Sequence, residues 1–158
     1  MVRFEYSEGV RAAQKMDHVR VTGEDLMGLV DSHQLFGLWR TELDTGHVFW
    51  SSDIFEIYGM EFTDGPINLT LSNAAMHPDD LPYLLELFEH SAEQKTGFHY
   101  ILRVKDGPSR YKHVRAVGRY RVTPADREEL YGFFQQMHDH VPLVGLVAPV
   151  PQGELRLA

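Results

Sequence analysis

The feature that most limits what this chain can fold into is a run of three β-like segments at its C-terminal end. They are "FHYILRVKDG" (98–107), "RYKHVRAVGRYRVT" (110–123) and "LYGFFQQMHD" (130–139), separated by an Asp-Gly turn and by "PADREE". Connections this short leave no room for a crossover, so neighbouring strands must run antiparallel as a meander. The middle segment also separates its two faces. Tyr111, His113, Arg115, Val117, Arg119 and Arg121 alternate with Arg110, Lys112, Val114, Ala116, Gly118, Tyr120 and Val122, a second set that is apolar after its first two members. Successive strand residues point to opposite sides, so the second set is predicted to face a covering layer and the basic, aromatic first set to lie on the outer side of the sheet.

Upstream, "FGLWRTELDTGHVFWSS" supplies a further hairpin: a strand over 35–43, a turn at Asp44–Gly46 and a returning strand ending at Trp50. Ser51 or Ser52 is placed to cap a short helix, 53–58, that Gly59 ends. A loop with a short helix after Asn68 or Thr70 follows. The segment from His77 to Gly97 reads as the longest helix, with Pro78, Asp79 and Asp80 in its first turn, Pro82 early enough to be tolerated, and Gly97 at its end. Leu81, Leu84, Leu85, Phe88 and Ala92 share its apolar face.

Before the first hairpin, Thr22 can cap an amphipathic helix over 23–35 with Glu24 and Asp25 in its first turn and a stripe of Leu26, Leu29 and Val30, beside Met27, that needs a cover. Val10, Ala13 and Met16 also stand at helical spacing. The last residues, "VPLVGLVAPVPQGELRLA", hold three prolines and two glycines and are not expected to form a long helix.

At 158 residues, the chain fits one domain with about 30 to 40 residues left for extensions. A net charge of −8 repels polyanions, which argues against general nucleic-acid or anionic-membrane binding. Eight of the fifteen Lys and Arg residues nonetheless fall between Arg103 and Arg127, so one part of the surface is expected to be basic. The absence of cysteine excludes disulfides, thiolate metal sites and cysteine nucleophiles. The N-terminus has no apolar signal core and no run approaches a membrane span, so a cytoplasmic protein is expected.

Taken together, these segments resemble the PAS family. Trp39, Gly46, Trp50-Ser51 and Ile57-Tyr58-Gly59 stand where that family's pattern places them, as do "HPDD" at 77–80, Arg103, Asp106-Gly107, Gly118 and the closing "LYGFFQQMHD". The resemblance spans residues 36–139 and implies an α+β fold, with a five-stranded antiparallel sheet carrying helices on one face. The expected organisation is an N-terminal extension over 1–35 containing the amphipathic helix, a PAS domain over 36–140 and a tail over 141–158.

The resemblance also frames the chemistry. In such a fold Trp50 ends the second strand, and its simplest role is to anchor the core. A small-molecule pocket would lie between sheet and helices, with Trp50, Ile54, Leu84, Phe88, Tyr100, Leu102, Val114 and Phe134 as candidate lining. The family's haem branch uses an axial histidine on the long helix, but His90 falls on that helix's polar face. Its light-sensing flavin branch needs a cysteine, so a cysteinyl-flavin adduct is excluded and no cofactor is predicted, though a small ligand stays open. His138 and His140, with His113 as a third group, have strand spacing for a metal but read better as surface histidines. No nucleophile elbow, phosphate loop or His-Glu-X-X-His motif is present, so no enzyme is expected.

PAS domains commonly end in an Asp-X-Thr motif leading to a signalling helix. Here Val141 takes the threonine position after Asp139, and Pro142 opposes a continuing helix. The resemblance therefore implies a free-standing regulatory adaptor in bacterial signal transduction. Single-domain PAS proteins of this kind act in trans on sensor histidine kinases, including cell-cycle kinases. Leu26, Leu29, Val30, Tyr111, His113, Arg115, Arg119 and Arg121 are the candidate partner surface, which a homodimer could share. The alternative is a sensor of haem, flavin or a metabolite whose pocket switches dimerisation.

Overall fold

The computed structural model describes residues 2–6, 9, 11–138 and 141–149. Its centre is one five-stranded antiparallel sheet. The strands are β1 (Phe36–Glu42), β2 (Val48–Trp50), β3 (Phe98–Lys105), β4 (Tyr111–Val122) and β5 (Glu128–Gln136), in the spatial order β2-β1-β5-β4-β3. The meander and the N-terminal hairpin thus join through β1 and β5, with Trp39 opposite Gly132 and Gly37 opposite Phe134. This is the α+β arrangement expected from the sequence.

Four α-helices accompany the sheet: α1 (Gly23–Asp31), α2 (Ser52–Tyr58), α3 (Leu69–Ala75) and α4 (Leu81–Gln94). Side chains from α2 and α4, with Met76 at the end of α3, meet the sheet's inner face. They enclose a core of Trp39, Ile54, Ile57, Met76, Leu84, Phe98, Leu102, Val104, Val114, Ala116, Leu130 and Phe134. Each large apolar side chain buried in this way contributes about 1.5–3 kcal/mol.

Local chemistry shapes the joints. Gly59 ends α2 at φ 67° and its N–H bonds back to the helix, as expected of a glycine stop. Ser51 occupies the N-cap position of α2, but its hydroxyl accepts from Leu38 N–H at 2.8 Å and ties the helix start to β1. Asp53 does the same by accepting from Phe36 N–H at 3.0 Å. Asn68 caps α3 through Leu71 N–H.

Several boundaries differ from the sequence reading. The long helix begins at Leu81, not in the His-Pro-Asp-Asp segment, so Pro82 rather than Pro78 lies in its first turn. Lys95, at φ 51°, ends it in place of Gly97. Leu85 is half exposed, while Leu87 packs against the core beside Phe88. Asp80 is the N-cap residue of α4 but makes no side-chain bond to the helix. Its carboxylate accepts from Arg103 N–H, Nε and Nη2 at 2.9, 2.9 and 2.7 Å, pinning the start of α4 to edge strand β3. The Arg103 side chain holds the Asp80 carboxyl below the usual carboxylate range.

The N-terminal elements also depart from expectation. Thr22 caps α1 as expected, and its bonds with Asp25 make a capping box. The helix then stops at Asp31, where Ser32 Oγ and His33 Nδ1 both reach the Leu29 carbonyl. It buries none of its residues, so among the described residues its apolar stripe has no full cover. Residues 11–16 are not helical, and only a single 3₁₀ turn, Asp17–Val19, follows them. Val10, Asp139, His140 and residues 150–158 lie outside the described residues, and the described tail, 141–149, carries no helix or strand. No described helix is long and apolar enough to cross a membrane.

Candidate functional site

Two features stand out as candidate sites, one on each face of the sheet. On the inner face a cavity of about 70 Å³ lies between the sheet and α3. Six of the eight residues proposed for a pocket border it: Trp50, Ile54, Leu84, Phe88, Tyr100 and Phe134. The other two, Leu102 and Val114, face the same side but are core residues that do not reach it.

Its remaining walls were not foreseen. Trp39, Thr41 and Val48 come from β1 and β2, Tyr58 from α2, and Ile67, Leu69, Ser72, Asn73 and Met76 from α3 and its flanks. Alternation along β1 and β2 places Trp39, Thr41, Val48 and Trp50 on one face, which is the signal that could have found the strand residues. Nothing comparable marks α3, whose "LTLSNAA" has no apolar stripe. Its position is set from outside: Ile67 N–H bonds Val48 O at 2.9 Å, and Met76 bridges to Val104 on β3.

The two tryptophans divide the work differently from the sequence reading. Trp39 is the buried one; its Nε1–H donates to Phe133 O at 3.1 Å and its ring packs against Phe88 and Phe98. Trp50 is half-buried and packs against Tyr58, ring centroids 4.5 Å apart and tilted by 36°, forming a cavity wall. Tyr58 in turn borders a second, open groove of about 430 Å³ on the outside of α2 and α3.

The cavity is uncharged, since no Asp, Glu, Lys, Arg or His borders it. Its polar groups are those of Thr41, Tyr58, Ser72, Asn73 and Tyr100. Burial pushes the Tyr58 and Tyr100 phenols well above their ordinary value, so both stay protonated at neutral pH. The Tyr58 hydroxyl donates to Met76 Sδ at 3.6 Å, a weak acceptor.

The outer face is built from the other set of strand residues. Phe36, Leu38 and Arg40 on β1 lie opposite Gln135, Phe133 and Tyr131 on β5, which pair onward with Arg115, Val117 and Arg119 of β4. His99 and Ile101 of β3 complete it. Leu38, Phe133 and Val117 make an apolar row that ends at His99. Ile101, opposite Arg115, lies diagonal to Val117, and Leu38 and Ile101 are 48% and 51% exposed. Arg115 and Arg119 flank Val117 along β4, and among the described residues neither has a carboxylate within salt-bridge distance.

The structure separates the other proposed surface residues. Arg121 is engaged internally, bonded to Glu129 and lying over the Tyr131 ring at 4.0 Å. Tyr111 packs against His77 at 4.5 Å, at the sheet's edge. His113 is exposed near Arg103. Leu26 and Leu29 are 56% and 60% exposed on α1, none of whose residues is buried, and Val30 is half-buried there. His90 and His138 are exposed, and no group of three His, Asp or Glu placed to hold a metal occurs among the described residues.

Solved structures resemble this arrangement. The N-terminal domain of a diguanylate cyclase with a PAS/PAC sensor from Marinobacter aquaeolei superposes with a TM-score of 0.54 at 16% identity, over 64% of this chain and 94% of that one. A PAS domain from Colwellia psychrerythraea superposes with a TM-score of 0.51 at 10% identity, over 72% and 96%. This chain has the PAS fold. A sensory box histidine kinase/response regulator from Burkholderia thailandensis shares it, with a TM-score of 0.54 at 21% identity over 70% and 82% of the two chains. No family model matches the sequence, and no curated protein does. At these identities the likeness extends to the PAS fold and no further.

Proposed function

We propose that this chain is a PAS-fold regulatory module that docks on a signalling protein through the outer face of its sheet. A sensor histidine kinase is the partner class, reached in trans, and the role is non-catalytic. The observation that carries this reading is the half-exposed Leu38 and Ile101 about the Val117–Phe133 pair, flanked along β4 by Arg115 and Arg119, which have no carboxylate partner among the described residues. An apolar centre with a charged rim suits a protein partner, because the centre supplies area and the rim orients the encounter. The exposed stripe of α1, Leu26 and Leu29, is a second apolar surface that would serve a partner or a homodimer. The histidine-kinase neighbour supports the choice of partner class, and the lack of cysteine fits a reducing, cytoplasmic setting. Bacterial cell-cycle control is one setting in which such an adaptor would act.

The test is kinase autophosphorylation with the purified chain added in trans to a panel of purified sensor kinases. We expect one kinase to change rate, and that change to disappear with Arg115→Glu plus Arg119→Glu while circular dichroism and Tm stay as in the parent. Equal action of the double variant would remove this face from the reading.

A second reading, a ligand sensor, is favoured by one observation: the cavity bordered by Tyr58, Asn73 and Tyr100. A mass found by native mass spectrometry on freshly purified protein would support it.

A further inference from the structure

We propose that the open edge of β3 is a strand-docking site whose occupant is residues 2–6 of this same chain, which close over it as a sixth strand.

The site follows from the ladder. β3 is the outermost strand, paired on one side with β4. In an antiparallel pair, the N–H and C=O of one residue point the same way, and those of the next residue point the opposite way. At Arg103 both point away from β4, because its N–H donates to Asp80 and its carbonyl accepts from His77 N–H at 3.0 Å. Ile101 and His99, two and four residues earlier, therefore turn theirs to the same open side. Residues 76–80 cover the edge at Arg103 and Val104. Among the described residues, nothing bonds the backbone of His99 or Ile101 on that side. An edge with free donors and acceptors is a template for another strand.

Sequence and contacts together name the occupant. "VRFEY" alternates, with Val2, Phe4 and Tyr6 apolar or aromatic and Arg3 and Glu5 charged. That is the pattern of a half-buried strand, and Val, Phe and Tyr favour strands. The side chains already take opposite sides of the sheet. Phe4 packs edge-on against Tyr83 of α4, ring centroids 5.7 Å apart, on the helix side. Glu5 Oε2 lies 3.6 Å from His99 Nε2 on the outer side, and Arg3 bonds the same carboxylate. Phe4 and Glu5 thus straddle the edge, as consecutive residues of a strand do.

No backbone bond joins residues 2–6 to β3 in this arrangement, and Phe4 and Tyr6 are 77% and 86% exposed. The segment is poised beside the edge, and closure would pair the open groups of His99 and Ile101. Its tether gives it an effective concentration that a strand from a separate molecule lacks.

The experiment measures amide hydrogen exchange by NMR on the full chain, on a chain lacking residues 2–6, and on Glu5→Pro and Glu5→Gln. We expect His99 and Ile101 N–H to exchange about tenfold or more faster without residues 2–6. Val114 and Phe134 should keep their rates in every variant, which reports that each one folds. Glu5→Pro removes a backbone N–H beside His99 and should act like the truncation. Glu5→Gln keeps that N–H and loses an exposed charge, so it should change the rates by less than about threefold. Equal rates at His99 and Ile101 with and without residues 2–6 would overturn the proposal. So would Glu5→Gln and Glu5→Pro acting alike, because side chains alone would then hold the segment. Protection that fades on dilution, with a dimer in native mass spectrometry, would overturn the intramolecular occupant and put a second copy's strand on the edge.

Discussion

The two sides of β4 are made from one stretch of chain and meet opposite demands. Val114, Ala116 and Gly118 face inward, where space is filled down to the backbone: a methyl added at Gly118 would sit 2.5 Å from the Phe98 ring and 2.8 Å from Trp39. Arg115, Val117 and Arg119 face outward, where Ile101 and Leu38 keep about half their surface in water. Residue identity on the inner side is set by fit. On the outer side little in the monomer constrains it, so an apolar row there points to something outside the monomer. Stability should accordingly respond to the first side and partner binding to the second.

The largest expected effect is on the inner side, at Gly132. An added methyl there meets the Val117 carbonyl oxygen at 1.8 Å, and backbone cannot swing away as a side chain can. Gly132→Ala should cost about 3 kcal/mol or more in urea denaturation, at or beyond the upper end of ordinary overpacking. A loss below about 1 kcal/mol would mean that the sheet relaxes far more readily than this packing implies.

Next is the clasp between Asp80 and Arg103, where the two partners are unequally buried, with side chains 3% and 36% exposed. Arg103→Ala strands a buried carboxylate and should cost about 3 kcal/mol, whereas Asp80→Ala leaves an arginine that can still reach water and should cost less. The pH dependence separates them further. Asp80 is held below its unfolded value, so in the parent its contribution is present above about pH 4 and is lost as pH falls through the folded-state value. In Arg103→Ala the guanidinium that holds the carboxyl down is gone, so that variant should lose less stability than the parent as pH falls. Parallel pH profiles for parent and Arg103→Ala would contradict the role given to the clasp.

That clasp also shows what a sequence conceals. The strands were legible because alternation and turn residues are local: the Val114–Ala116–Gly118 face, Gly46 at φ 74° and Gly107 at φ 87° all act within a few positions. So were the caps at Thr22 and Asn68. Asp80 looked like a helix-dipole residue because its neighbours in sequence are helical, but its partner lies 23 residues away. The same limit hid most of the cavity. Six lining residues were foreseen from elements with a clear apolar face, whereas Ser72 and Asn73 belong to a seven-residue helix with no apolar stripe that is held over the sheet by bonds at its flanks. Trp50 and Trp39 were indistinguishable by composition; only their positions opposite one another across β1 and β2 decide which ring goes deeper.

The smallest effects on stability should come from the outer side. Arg115→Glu plus Arg119→Glu is expected to leave stability within about 0.5 kcal/mol of the parent, as for surface changes generally, while abolishing kinase modulation. Leu29→Asp tests the second apolar surface. Leu29 is 60% exposed on α1, so the substitution removes little packing and should lower monomer stability by no more than about 0.5 kcal/mol of helix propensity. If α1 belongs to the docking surface, an added carboxylate in its apolar stripe should weaken kinase binding at least tenfold and, in sedimentation, abolish any dimer formed through the same stripe. If kinase binding survives Leu29→Asp but not the arginine pair, the docking surface ends at the sheet and α1 needs another cover. A dimer lost with Leu29→Asp while kinase modulation persists would assign the helix to self-association and the sheet to the kinase, two partners on surfaces that the sequence reading had joined.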